Sequence, residues 1–161
     1  MVRLDFRKDT PELERKYHEI RVSTGGSLTT IADSVVNDMH TLDSKSSALL
    51  QFISVVLAAL TFSIGLVNER LEFASFIKAG LIVFIAAFGL AAWVNFRCLQ
   101  AMGPPFRMNF NDAESYEREM IAELTIRRSR YFLSLRISRA AFLLLVPFIS
   151  VWIGMVAREM L

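Results

Sequence analysis

Residues 46–67 read SSALLQFISVVLAALTFSIGLV and carry no charge from end to end. An α-helix rises about 1.5 Å per residue, so roughly 20 apolar residues cross the ~30 Å hydrocarbon core of a bilayer. This stretch predicts one membrane-spanning helix, and two more blocks resemble it. Residues 73–96 form the second, with Lys78 near its start, where a long stem can snorkel to the interface, and Trp93 near its end, where an aromatic belt is expected. Residues 140–157 form the third and shortest, with Pro147 in its middle and Trp152 toward its far end. A proline is tolerated in such a helix because neighbouring groups satisfy the freed carbonyl, and a kink is expected there. The apolar residues, 53% of the chain, collect in these blocks, and the stretches between them are heavily charged. Mean hydropathy is +0.40. The predicted fold class is an all-α integral membrane protein, with three transmembrane helices and cytoplasmic helical extensions.

Working outward, residues 1–46 form a cytoplasmic amphipathic segment. Thr10 as a cap with Pro11 at the first helical position predicts a short helix to about Arg21, broken by Gly25-Gly26. A second helix restarts near Ser27. On it Leu28, Ile31, Val35, Met39 and Leu42 recur at three- and four-residue steps as one apolar stripe. Nothing breaks the chain between that stripe and residue 46, so one long helix is expected to leave the membrane and continue into the cytoplasm. Residues 46–96 are then a transmembrane hairpin with a short link at 68–72. Residues 97–139 are a charged cytoplasmic segment. Gly103-Pro104-Pro105 stops a helix, Asn109 to Asp112 caps the next, and a helix rich in Glu and Arg follows from Ala113. Tyr116, Met120 and Leu124 share a face of it, and Tyr131 and Leu135 continue that face after a gap. Residues 140–161 are the third span with a short external tail.

Lys and Arg near the ends of spans mark the cytoplasmic side. The N-terminal segment has seven, among them Arg21 and Lys45, and residues 97–139 have eight arginines. The 68–72 link has only Arg70 and the tail only Arg158. The N-terminus and residues 97–139 are therefore expected in the cytoplasm, with the C-terminus outside. The first residues contain no apolar run, so no cleavable signal peptide is expected.

Little in the chain suits catalysis. There is one cysteine, Cys98, and there are two histidines, His18 and His40. His40 and Asp43 have the spacing of half a metal site, but nothing supplies the other half. No P-loop, GxGxxG or HExxH motif is present. No enzyme activity, cofactor or metal is expected. A net charge of +2 gives no field that points to nucleic acid. Within the spans Gln51, Ser54, Thr61, Ser63 and Asn95 either bond between helices or line a pore once several copies assemble. Gly80, Ala87, Gly89, Ala91 and Ala92 read as close-packing positions.

The run Arg127-Arg128-Ser129-Arg130-Tyr131 has two readings. Arg127 and Tyr131 lie four apart on one helix face, where a guanidinium fork can take a phosphate and an aromatic ring can stack on a base. The plainer reading is that basic residues before a span set topology and touch anionic headgroups. Asp43 and Lys45 raise the same question at the first span. They either bind a ligand or pair structurally with Arg136 or Arg139.

The stretch Asp43-Ser44-Lys45-Ser46-Ser47-Ala48-Leu49-Leu50 resembles the Asp-x-Lys-small-small pattern of the transmembrane effectors of pyrimidine cyclase (Pycsar) anti-phage systems. These are loosely similar to the two-span SLATT effectors. The run 130–136, RYFLSLR, resembles the family's aromatic-basic stretch before the last span. The likeness covers most of the chain as architecture and two short stretches as motif. It implies a defence effector of the bacterial inner membrane. A neighbouring cyclase would make cyclic UMP or cyclic CMP on infection. The nucleotide would bind the cytoplasmic part, and a homo-oligomer would then breach the membrane. Arg127, Tyr131, Asp43 and Lys45 are the candidate ligand contacts. The chain has no separate nucleotide-binding domain, so a protein or the membrane itself stays open as the signal. The alternative is a membrane anchor or accessory subunit that binds a soluble partner.

Overall fold

A computed structural model describes residues 15, 18–22, 25, 28–67, 73–99 and 113–159. Among these the chain is helical and contains no strand. Three long helices account for nearly all of it: α1, Leu28–Leu66; α2, Ala74–Leu99; and α3, Ala113–Glu159. Each is long and apolar enough to cross a membrane, within Asp33–Leu66, Ala74–Leu99 and Met120–Arg158.

α1 carries the expected amphipathic stripe and the first apolar block without a break. Its 39 residues make it roughly 58 Å long. α2 begins one residue into the second block and runs three residues past its end, to Leu99. α3 joins the charged segment and the third apolar block in one helix of 47 residues, which continues through Pro147. Residues 18–22 are helical and Gly25 turns with a positive φ of 64°, in keeping with the expected break. The N-terminal cap at Thr10, the 68–72 link, the Gly-Pro-Pro stop and the Asn109–Asp112 cap lie outside the described residues.

The helices contribute to two compact units. One comprises Met1–Ser46 and Arg97–Tyr131, the other Ser47–Phe96 and Phe132–Leu161. The first, the polar unit, has a small core of Ile31, Val35, Leu42, Cys98, Met120, Ile121 and Leu124, with Ile20, Met39 and Tyr131 packed against it. From the predicted stripes, Ile31, Val35, Met39 and Leu42 of α1 and Met120, Leu124 and Tyr131 of α3 are in it, whereas Leu135 belongs to the other unit. Burying Val35 and Ile121, each 1% exposed, is worth about 1.5–3 kcal/mol apiece.

The second, the apolar unit, packs Ile53, Leu60 and Val67 of the first segment against Ile77, Leu81, Phe88 and Ala91 of α2 and Ala141 and Leu145 of α3. Tilted ring pairs join Phe52 to Phe142 and Phe84 to Phe148. Ser134 Oγ donates to the Ala91 carbonyl at 2.8 Å, both groups fully buried. Small residues permit the close fit at some of the expected places. A Cβ on Gly80 would meet the Phe148 ring at 2.5 Å. Ala91 is fully buried, and Ala87 and Ala92 pack on the core. Gly89 does not close-pack, since a Cβ there meets nothing within 4 Å.

Candidate functional site

The polar unit holds a charged cluster inside its core. Arg127 falls in the gap between Leu124 and Tyr131, so it continues the apolar face of α3 and is only 3% exposed. A buried guanidinium is retained when carboxylates and hydrogen bonds compensate its lost hydration. Glu123, one turn back, accepts from Arg127 Nε at 3.2 Å. Asp43 Oδ1, from α1, lies 3.6 Å from Arg127 Nη1. That is an ion pair but too long for a hydrogen bond, and Oδ1 is buried with no hydrogen-bond partner. The side chain of Asp43 as a whole remains a third exposed.

Around this pair the contacts are all within the same unit. Cys98 Sγ donates to the Arg127 carbonyl at 3.3 Å and lies 3.7 Å from Ser46 Oγ. Arg130 Nη1 donates to the Arg97 carbonyl at 3.0 Å. The last turn of α2 is thereby tied to α3 at two points, and α1 reaches the same place through Ser46 and Asp43.

Of the four residues singled out from the sequence, the structure brings Arg127 and Asp43 together. Tyr131 is half-buried, packed on the same core one turn after Arg127. Lys45 is exposed. The expected pairing of Asp43 with Arg136 or Arg139 is replaced by the pairing with Arg127, and both of those arginines are exposed. Sequence reasoning missed Glu123, Cys98 and Ser46. The i, i+4 spacing of Glu123 and Arg127 was the signal available for the first. The thiol and the serine had none, because their partners are on other helices. Among the described residues no group of His, Cys, Asp and Glu could hold a metal ion.

The polar residues singled out within the spans differ in burial, and Ser63 is half-buried. Asn95 is fully buried, so it faces other helices. Gln51, Ser54 and Thr61 are exposed, and they belong to a longer pattern. Ser47, Gln51, Ser54, Ala58, Thr61 and Gly65 recur at alternating steps of four and three, all exposed. Beside this stripe Phe52, Val55, Phe62 and Leu66 form a second exposed stripe that is large and apolar. The hydroxyls of Ser54, Thr61 and Ser63 each bond to the carbonyl four residues back at 2.8 Å. This is how hydroxyl groups are satisfied where water is absent.

No protein-family model, curated protein or solved structure gives a significant match to this chain.

Proposed function

We propose that the chain is an integral protein of a bacterial inner membrane, an effector that breaches that membrane when a cyclic nucleotide signal arrives during phage infection. Its N-terminus and residues 97–139 are cytoplasmic in this reading, and its C-terminus is external. The observation that carries the membrane part is the surface of the apolar unit. Phe62, Phe76, Val83, Leu143 and Leu144 are each more than 60% exposed, across all three helices. A contiguous apolar surface of that kind is costly in water and ordinary against acyl chains.

The breach is supported by the small, polar stripe of α1. Three helices cannot enclose a water path, so the active state is a homo-oligomer built on symmetric contacts. Ser47, Gln51, Ser54 and Thr61 would face its axis, while the Phe52–Leu66 stripe meets lipid. Asn95, being buried, is not part of that lining. For the signal, cyclic UMP or cyclic CMP would take Arg127 through its phosphate, displacing the long contact to Asp43, with Tyr131 beside it and Lys45 at the rim. The setting, defence against phage, comes from the Pycsar-like motifs at 43–50 and 130–136.

The alternative, a membrane anchor or accessory subunit without a pore, is favoured by one observation. The span hydroxyls already bond to their own helix and need no water. The two readings part in one measurement, membrane potential followed with a dye in cells expressing the chain, before and after a cyclic pyrimidine nucleotide is supplied. Nucleotide-dependent depolarisation is the expected result. A correctly inserted protein that never depolarises the membrane would leave the anchor reading, and the search would turn to a soluble partner.

A further inference from the structure

Arg136 and Arg139 are exposed and belong to the apolar unit. On α3 they share one face with Phe132 before them and Leu143 after them, at steps of four, three and four. Both of those apolar side chains are exposed, Phe132 by 44% and Leu143 by 72%. Arg128 and Ser129 are exposed one turn before Phe132, so the two guanidinium groups sit near the polar end of an apolar strip, with Phe132 on one side and Leu143 on the other.

Among the described residues no carboxylate of this unit is near them. α3 has no Asp or Glu between Glu123 and Glu159, α2 has none at all, and α1 has none after Asp43. Glu159 follows Arg139 by twenty residues, about 30 Å along the helix. Asp43 is engaged by Arg127.

The level of the pair is fixed by contacts within the unit. Ser134 bonds to the Ala91 carbonyl, and the Phe148 ring meets Phe84 and the Gly80 position. Numbers therefore rise along α3 as they fall along α2, and the helices are antiparallel. Interpolating between these contacts, Arg136 comes level with about Leu90 and Arg139 with about Phe88. On α2 the stretch between Lys78 and Arg97 is uncharged, and Trp93 and Phe96 are exposed between this level and Arg97. Two cations without a nearby carboxylate among the described residues of this unit therefore lie one to two turns below exposed Trp93, from where long side chains can snorkel toward the headgroups.

We infer that Arg136 and Arg139 together hold the phosphate of an anionic phospholipid from the cytoplasmic leaflet. This rests on the membrane reading above. A phosphodiester presents oxygens that two arginine forks can share, and its charge supplies what the protein lacks there. Phe132 flanks the headgroup and Leu143 meets the acyl chain. The occupant is a lipid rather than a soluble phosphate because exposed Phe132 and Leu143 flank the arginines with apolar surface that an acyl chain can cover.

The test uses the full chain reconstituted in vesicles of phosphatidylcholine and phosphatidylglycerol, followed by gentle detergent extraction and analysis of the lipid that stays bound. The wild type should retain phosphatidylglycerol several-fold above its share of the bulk. R136Q/R139Q should return the ratio to the bulk value, R136K/R139K should keep part of the enrichment, and R158Q, at the far end of α3, should leave it unchanged. The same enrichment in wild type and R136Q/R139Q would overturn the inference. So would loss of enrichment in excess inorganic phosphate, which would assign the arginines to a free anion. Carbonate washing separates the two layers of argument. Protein stripped from the vesicles sinks the membrane reading, whereas protein that stays inserted but shows no lipid preference sinks this inference alone.

Discussion

Arg127 occupies a position that a pattern of apolar residues would assign to leucine. Its burial makes it a structural member of the core, whatever else it does. Removing the cation leaves two partly buried carboxylates, Asp43 and Glu123, without the partner they share. Breaking a buried pair this way costs about 3 kcal/mol, at the low end of the usual range because both acids keep some hydration. R127M should therefore lower the unfolding midpoint in detergent, and D43N/R127M together should cost less than the sum of the single changes, by 0.5–3 kcal/mol or so. Strict additivity would mean that the 3.6 Å pair contributes nothing. R127K keeps the charge but not the fork. If it folds normally yet abolishes nucleotide-dependent depolarisation, Arg127 is a ligand contact as well as a core residue. The pairing of Arg127 with Tyr131 on one face was legible from their spacing. Its partner Asp43 was not, because the sequence says only that α1 and α3 carry complementary charges, and Arg136 and Arg139 were equally plausible from that alone.

At the scale of the element, Gly80 and Gly89 look interchangeable in the sequence of α2. Both are helical glycines among apolar neighbours, and both suggest a close approach. The rotation of the helix separates them, and that rotation is set by Ile77, Leu81 and Phe88 turning into the core. G80A should push the Phe148 ring out of its contact with Phe84 and cost about 1–3 kcal/mol, whereas G89A should be neutral or slightly stabilising through helix propensity. Thermal unfolding of the two variants in the same detergent checks this, with F148L expected to restore G80A. Equal effects at both positions would contradict the packing. The α1 stripe from Leu28 to Leu42 was readable for the opposite reason. In water a helix with one buried face must alternate apolar residues at three and four, so the sequence itself records the rotation. Inside an apolar block that record is missing, since buried and exposed sides are both apolar.

For the whole molecule, the three apolar blocks were read from length and composition, and the helices that contain them follow. The separation into two units with their own cores was visible only as an alternation of charged and uncharged stretches. The proposed orientation rests on fifteen basic residues in the two long polar segments against a few in the 68–72 link, the second span and the tail. Cys98, the one cysteine of the sequence, is 0% exposed and bonded to the Arg127 carbonyl, so it can stay in place: in the folded protein an added surface thiol is the one a maleimide reaches. A membrane-impermeant maleimide should label R158C in intact spheroplasts and H40C only after they are permeabilised. The reverse pattern would invert the topology and move Arg136 and Arg139 to the outer leaflet. A last consequence belongs to Pro147, through which α3 runs without interruption. A proline brings no N–H to the ladder, so the carbonyl of Leu143, beneath a side chain that is 72% exposed, has no backbone donor four residues on. In an acyl environment such an oxygen vibrates at a higher frequency than its bonded neighbours. A single isotope-edited carbonyl at Leu143 would thus give an infrared band that moves down when water reaches it, a direct optical report of the moment the membrane core becomes wet.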